Sequence, residues 1–393
     1  MKFHIMSEWK TYKLGDLIEC IIDNRGKSAP ISISNYQPII EINALGQREV
    51  NYDVIRKYVS KETYDTWFRA GHPKIGDILF STVGTIGLTS LMTQDVGCIA
   101  QNIIALRVND KLLNNQYLYY FLNNKTTKIN LNNLNIGGVQ PSIKLPHLLS
   151  MPISLPPLET QKRIADILSA IDDKIELNHR IHANLEQQAQ ALFDEYFIHN
   201  IGKLGNYSTA SLTEIAQFLN GLAMQKFRPK GNEDGIPVLK IKELGQGKCD
   251  ASSDLCSSSI PEEFIINNGD IVFSWSGTLL VDIWCSGICG LNQHLFKVSP
   301  LNYPKWLIYF WTKYHLSNFI RIAQDKAVTM GHIKRGDLDA AKVIIPSAES
   351  LNELDKIMSP MLQSIISNRI ENNNLSTLRD TLLPKLMSGE IIV

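Results

Sequence analysis

The second half of this chain repeats the first. Residues 38–47 read Pro-Ile-Ile-Glu-Ile-Asn-Ala-Leu-Gly-Gln, and residues 237–246 read Pro-Val-Leu-Lys-Ile-Lys-Glu-Leu-Gly-Gln. The segment Gly76-Asp77-Ile78-Leu79-Phe80-Ser81 returns as Gly269-Asp270-Ile271-Val272-Phe273-Ser274, and Tyr117 to Phe121 corresponds to Trp306 to Phe310. From residue 143 the offset settles at 190 and stays there, pairing Ile143 with Ile333, Lys144 with Lys334, Pro156 with Pro346, Ile175 with Ile365 and Leu192 with Leu382. A repeat of half a 393-residue chain is too long for a solenoid, whose units span some 20–50 residues. It implies two homologous globular units, each followed by its own helical rod.

The boundaries follow from that register: one unit over residues 1–157, a rod over 158–200, a second unit over 201–347 and a second rod over 348–393. From Leu158 to Asn200 there is neither Gly nor Pro. Ile164, Leu168, Ile171, Ile175, Asn178, His182, Leu185, Ala189, Leu192 and Tyr196 recur there in alternating steps of four and three, the seam of a coiled coil. Adding 190 gives Leu354, Met358, Met361, Ile365, Asn368, Asn372, Leu375, Arg379, Leu382 and Leu386, with polar residues at the same two central places. Buried Asn lowers stability but fixes register and orientation. If the rods lie antiparallel, Asn178 and His182 face Asn368 and Asn372 in a central polar layer, and the halves are related by a pseudo-twofold axis. Ser359-Pro360 reads as an N-cap and first helical residue, and Pro384 as a bend or stop, so the second helix is expected to be kinked or shorter.

Within each unit, short Ile/Val/Leu/Phe-rich runs are separated by Gly, Asn and Asp turns. They predict strands at Ile39–Ile42, Ile78–Ser81, Ile103–Val108, Val238–Ile241, Ile271–Trp275 and Leu295–Val298, with helices at Asn115–Asn123 and Pro304–Tyr314. The fold class is therefore α+β: two homologous domains separated by two long helices packed as an antiparallel coiled coil.

Composition bounds the function. At 44% apolar and 20% charged residues the chain is ordinary globular material, and no apolar run approaches the 18 or so residues of a membrane span. A cytosolic protein is expected. Six irregularly placed cysteines without a CxxC pair fit free thiols in a reducing compartment, although Cys249, Cys256, Cys285 and Cys289 all fall in the second half. Net charge is zero, but the two globular parts together carry +6 and the rods −6. Basic excess on the domains suits an anionic partner, and acidity on the rods suits solvated helix faces.

Two loops in each unit have the residue types that DNA reading needs. Ser81, Thr82 and Thr85 follow the Gly-Asp-Ile strand of the first unit, as Ser274 and Ser276 do in the second. Gln140, Ser142 and Lys144, and likewise His332 and Lys334, lie just before the rods, in the loops Gly137–Lys144 and Val328–Lys334. Small hydroxyls and glycines allow close approach to phosphate and supply donors and acceptors to base edges. Arg25, Lys27, Lys226, Arg228 and Lys242 suit guanine or phosphate, while Asn43, Gln101, Gln293 and His294 offer the mixed edges that adenine requires. Each alone is as readily a surface or structural residue; the inference rests on the set.

Catalytic signatures are missing from the sequence: no GxxxxGK, GxGxxG, HExxH or GxSxG pattern occurs. A non-enzymatic reader is the expectation, and the competing one is a coiled-coil scaffold for protein partners without DNA sequence preference. The segment Leu155-Pro156-Pro157-Leu158-Glu159-Thr160-Gln161-Lys162-Arg163-Ile164-Ala165-Asp166-Ile167-Leu168, continuing to Glu176, resembles the central conserved region of the specificity subunit of type I restriction-modification enzymes. Leu378-Arg379-Asp380-Thr381-Leu382-Leu383-Pro384-Lys385-Leu386-Met387-Ser388-Gly389-Glu390-Ile391 is similar to that family's C-terminal conserved region. The start of the second rod, Ser350 to Asp355, departs from the Glu-x-Gln-Lys/Arg-x-Ile pattern. The resemblance implies two target-recognition domains, each reading one half of an asymmetric bipartite sequence in double-stranded DNA, with the rods setting the gap. It also implies two methyltransferase (modification) subunits docked on the helices and two restriction/translocase subunits. S-adenosylmethionine, ATP and Mg belong to those partners in this picture, and no metal to this chain.

Overall fold

The computed structural model describes residues 9–137, 140–325 and 331–393, so Gly138, Val139 and Val328–Met330 of the loops named above lie outside the described residues. The chain forms two compact units. One contains the chain up to Asp173 together with Thr377–Val393, and the other spans Lys174–Ser376.

In the first unit, strands β1 (Lys10–Lys13), β2 (Ile18–Asp23), β3 (Gln37–Ile40) and β4 (Tyr58–Val59) precede helix α1 (Lys61–Trp67). There follow β5 (Ile78–Ser81), β6 (Thr89–Leu91), β7 (Cys98–Ile99), β8 (Ile103–Val108), α2 (Asn115–Asn123), α3 (Lys125–Asn133), α4 (Leu145–Leu149) and β9 (Pro152–Leu155). Helix α5 (Leu158–Asp194) runs on into the second unit. That unit holds β10 (Tyr207–Ser211), α6 (Leu212–Ile215), β11 (Ala216–Asn220), β12 (Ile236–Leu239), α7 (Ile241–Gln246), β13 (Leu255–Cys256), β14 (Ile265–Ile266) and β15 (Ile271–Ser274). It continues with β16 (Leu280–Ile283), β17 (Cys289–Leu291), β18 (Leu295–Pro300), α8 (Lys305–Asp325), α9 (Arg335–Ala340), β19 (Lys342–Pro346) and α10 (Ala348–Met387).

The sheets repeat as the sequence does. An antiparallel sheet ordered β2-β8-β5-β6 has its counterpart in β11-β18-β15-β16. The sheet β4-β3-β7, in which β3 and β7 are parallel, corresponds to β13-β12-β17-β14, and the pair β1-β9 to β10-β19. Strands β5 and β15 are buried on both faces, which is why they read as unbroken apolar runs. Ile78 and Phe80 join one core with α2, while Leu79 joins another with Ile40, Ile103 and Ala105; Ile271 and Phe273 are divided from Val272 in the same way.

The repeated Gly-Asp pair is explained by what it holds. Gly76 and Gly269 both have φ near +89, a left-handed turn that disfavours side chains. The carbonyl of Gly76 accepts from Asn115 Nδ2 at 3.0 Å, and that of Gly269 from Lys305 Nζ at 2.7 Å. Asp77 then receives Arg107 in a bidentate pair, with both distances 2.8 Å, and Asp270 pairs with Lys297 at 3.0 Å. Each Asp thereby ties the entry of its strand to a cation on the neighbouring strand, β8 or β18.

Helix α10 corrects one expectation. It runs for 40 residues through Pro360 and Pro384, against 37 for α5. Proline inside a helix costs about 3 kcal/mol, but Met358, Leu362, Ile365 and Ile366 flank Pro360 in buried positions, and that burial outweighs it. Pro384 falls in the last turn, where the Ser388 N–H bonds its carbonyl at 3.0 Å. The strand expected at Val238–Ile241 also stops earlier, at Leu239, because Lys240 N–H is capped by Glu243 and the chain turns into α7.

The helices are antiparallel in each unit. In the first, Asp172 pairs with Arg379 at 2.8 Å, and Ile164, Ala165 and Leu168 share a core with Leu383, Leu386 and Met387. In the second, Asn178 meets Asn372, while Leu204, beyond the end of α5, receives the Ser350 hydroxyl at the start of α10. The buried stripe is wider than the heptad seam, since Phe193, Leu362 and Ile366 join the core of the second unit. No helix among the described residues is long and apolar enough to cross a membrane.

Candidate nucleic-acid interface

Three loops converge in the first unit at the end of β5. The Gly84 N–H donates to the Pro141 carbonyl at 2.9 Å, Ile143 N–H to Thr82, and Thr82 N–H to Asn102. A bridge joins Val83 to Ser142. The second unit builds the same junction: Gly277 N–H donates to Gly331 at 3.1 Å, Ile333 N–H to Trp275, and Trp275 N–H to His294, with a bridge between Ser276 and His332. Both loop glycines have positive φ, and a Cβ on either would touch an isoleucine, Ile42 or Ile241, that precedes Asn43 or Lys242. Four segments far apart in sequence thus meet at one place in each unit.

The candidate residues divide by exposure. Thr85, Gln101, Gln140, Lys144 and Asn43 are exposed in the first unit, as are Lys226, Arg228, Lys242, His332 and Lys334 in the second. Ser142, Gln293 and His294 are half-buried, and Ser276 is buried. Ser81 and Ser274 are buried with their hydroxyls turned inward: Ser81 donates to the Thr85 carbonyl at 2.6 Å and accepts from Leu88 N–H at 2.8 Å, while Ser274 donates to the Ser276 carbonyl. Thr82 is buried and donates to Asn102. These three shape the loop from beneath and present no hydroxyl at its surface. Lys144 and Lys334 cap short helices through their backbones, leaving their ammonium groups outward. Lys242 leans on the Ser252 hydroxyl at 3.0 Å.

Arg25 is committed rather than free. It grips Asp23 through Nε at 2.8 Å and Nη2 at 2.5 Å, and that hydrogen-bonded guanidinium holds the Asp23 carboxyl below its ordinary value despite burial. Lys27 is exposed and lines a cavity of 230 Å³ with Gln101. Composition had not singled out Trp275. Its ring lies 6.0 Å from His294 and 6.3 Å from His332, and its Nε1 donates to Asn220 at 2.9 Å, so it forms the centre of the second junction where Thr82 stands in the first.

The polar layer is only partly the one expected. Asn178 Nδ2 reaches Asn372 at 2.9 Å and Glu371 at 2.7 Å, and Asn372 Nδ2 reaches the Ile175 carbonyl at 3.1 Å. Asn368 is half-buried and His182 does not bond either Asn. His182 instead lines a 400 Å³ cavity with Glu186, Asp282 and Arg369, where Arg369 pairs bidentately with Asp282 at 2.8 and 2.6 Å. Burial, reinforced by Arg369 and His179, pushes the His182 imidazole below its ordinary value. All six thiols are free, and no cluster of metal-ligating groups occurs among the described residues.

The type I restriction modification DNA specificity domain matches this chain twice, over residues 6–187 and 205–379. The chain belongs to that family. The specificity subunit of the type I restriction enzyme MjaIX from Methanocaldococcus jannaschii is 28% identical over 79% of this chain and 78% of the relative. That of HindI from Haemophilus influenzae is 23% identical over 98% and 100%. The crystal structure of an S subunit from M. genitalium shares the fold, with a TM-score of 0.65 at 17% identity over 96% of each chain. Within this specificity-family chain, Gln161 of the Glu-x-Gln motif is buried; its Oε1 accepts from Asn114 N–H at 3.0 Å and its Nε2 donates to the Leu112 and Pro156 carbonyls. The motif thus locks the start of α5 to the first unit. Its counterpart Leu351 packs into the second unit's core instead, and there Asp355 receives Trp306 Nε1 at 2.8 Å, so the lost pattern is replaced by a different clasp.

Proposed function

We propose that this chain reads a bipartite, asymmetric DNA sequence for a type I restriction-modification complex, one block per globular unit. The observation that carries the reading is the repeated junction with unlike side chains: Gln101, Gln140 and Ser142 in one unit, Trp275, Gln293, His294 and His332 in the other. A constant backbone frame with changed donors, acceptors and aromatic surface is what two readers of different sequences require. The helix pair fixes the gap between the blocks, its register pinned by the Asn178–Asn372 contact. Its outer faces dock two methyltransferase subunits, and two restriction/translocase subunits complete the complex in the cytoplasm. Methyl transfer, translocation and cleavage, with S-adenosylmethionine, ATP and Mg, reside in those partners; this chain contributes binding alone.

Methylome sequencing of cells with and without this gene tests the reading. One methylated motif of two specified blocks and an unspecified gap should vanish on deletion. An unchanged methylome together with DNA binding that shows no sequence preference would make the chain a scaffold, and methylation by the purified chain alone would make it an enzyme.

A further inference from the structure

Beside the first junction lies a cleft of 450 Å³ between the turn after β2 and the end of α1. Asn24 pins its two walls together: Nδ2 donates to the Gly71 carbonyl at 3.0 Å, and Oδ1 accepts from Ala70 N–H at 3.1 Å. Three cations line it. Arg25 is neutralised by Asp23, but Lys27 and Arg69 are exposed and have no carboxylate partner among the described residues. Trp67, 37% exposed, lines the cleft with them. A large apolar ring left in water beside two unpaired cations matches a sugar-phosphate strand, which offers anionic oxygens and an apolar deoxyribose face at neighbouring positions.

The cleft leads to the loops. The cavity shared by Lys27 and Gln101 also includes Asn24, so a strand held at Lys27 passes on to Gln101 and the junction. The second unit is built differently here among the described residues. Its Asn220 holds Trp275 instead of pinning a wall, and in place of α1 the chain between β13 and β14 makes a short turn with exposed Glu262 and Glu263.

We propose that this cleft grips the phosphodiester backbone of duplex DNA beside the block read by the first unit, with Lys27 and Arg69 on phosphates and Trp67 against deoxyribose. It is a sequence-indifferent handhold and belongs to one unit only. The inference rests on the DNA-reading function proposed above and names residues, Trp67 and Arg69, outside the loop set.

The test uses the full chain with its methyltransferase subunits, a duplex bearing the selected motif, and a salt series. Lys27→Ala with Arg69→Ala should lower affinity about tenfold or more and reduce the slope of log K against log salt by about 2, at ~0.9 per phosphate contact. Selection from randomised duplexes should return the same bases. Trp67→Ala should weaken binding several-fold with the slope unchanged. All three side chains are exposed, so an unaltered thermal midpoint serves as the folding control. Unchanged affinity and slope in the double variant would overturn the proposal, as would loss of a base preference, or an effect on single-stranded DNA alone. Were the unaltered chain itself to select no sequence, the DNA-reading function would fail and not merely the cleft.

Discussion

Asp77 shows how a repeated tripeptide encodes structure rather than chemistry. It is fully buried and its partner Arg107 only 28% exposed, so Asp77→Asn removes the charge that compensates the guanidinium. A fully buried broken pair costs about 3–5 kcal/mol; with Arg107 partly solvated, about 2 kcal/mol is expected, measured by urea unfolding. The repetition was legible, but the role was not, because Arg107 and Lys297 stand some thirty residues away in sequence. Likewise Ser81 and Ser274 had the composition of readers, yet composition does not say which way a hydroxyl points. His182 gives a pH signature. Its imidazole is lowered in the fold by burial, Arg369 and His179, against the opposing Glu186 and Asp282. The unfolded chain therefore takes up the proton first, so the stability this group allows is present above its ordinary value of 6.5 and is lost as pH falls below it. His182→Asn should flatten the fall of the unfolding midpoint between about pH 7.5 and 5.5. His72 and His315, also lowered by burial, leave a residual slope in the variant; identical slopes in both proteins would contradict the assignment.

At the scale of elements, periodicity carried the rods and the buried strands, since β5, β8 and α2 begin and end where their apolar patterns do. It failed at Pro360, where local propensity argued for an interruption and packing of the flanking residues decided otherwise. Pro360 is itself exposed, so Pro360→Ala loses no burial and restores a backbone donor. It should stabilise the chain by about 1–3 kcal/mol in denaturant titrations, and a neutral result would mean that the helix already bends to accommodate the ring. The Asn pair makes a second prediction. Asn178→Leu alone strands the buried Asn372 acceptor and should cost about 1–2 kcal/mol, whereas adding Asn372→Leu should recover most of that loss. Additive losses in the double-mutant cycle would show that the two amides do not act together.

For the whole molecule, duplication was the legible fact and the family followed from the rod motifs. What the sequence withheld was the junction itself, because its three loops meet through backbone hydrogen bonds that leave no pattern of side chains. No sequence pattern marks Trp275, Trp67 or Arg69 for that reason; their neighbours in space are not their neighbours in the chain. The central claim is that each unit reads its own block. Selection from randomised duplexes, run in parallel with the unaltered chain and with a chain carrying Gln293→Ala and His332→Ala, measures it directly. The unaltered chain should return two specified blocks at a fixed gap, and the variant should lose specification in one block while the other block and the gap remain. A single continuous motif, or loss of both blocks together, would contradict the account.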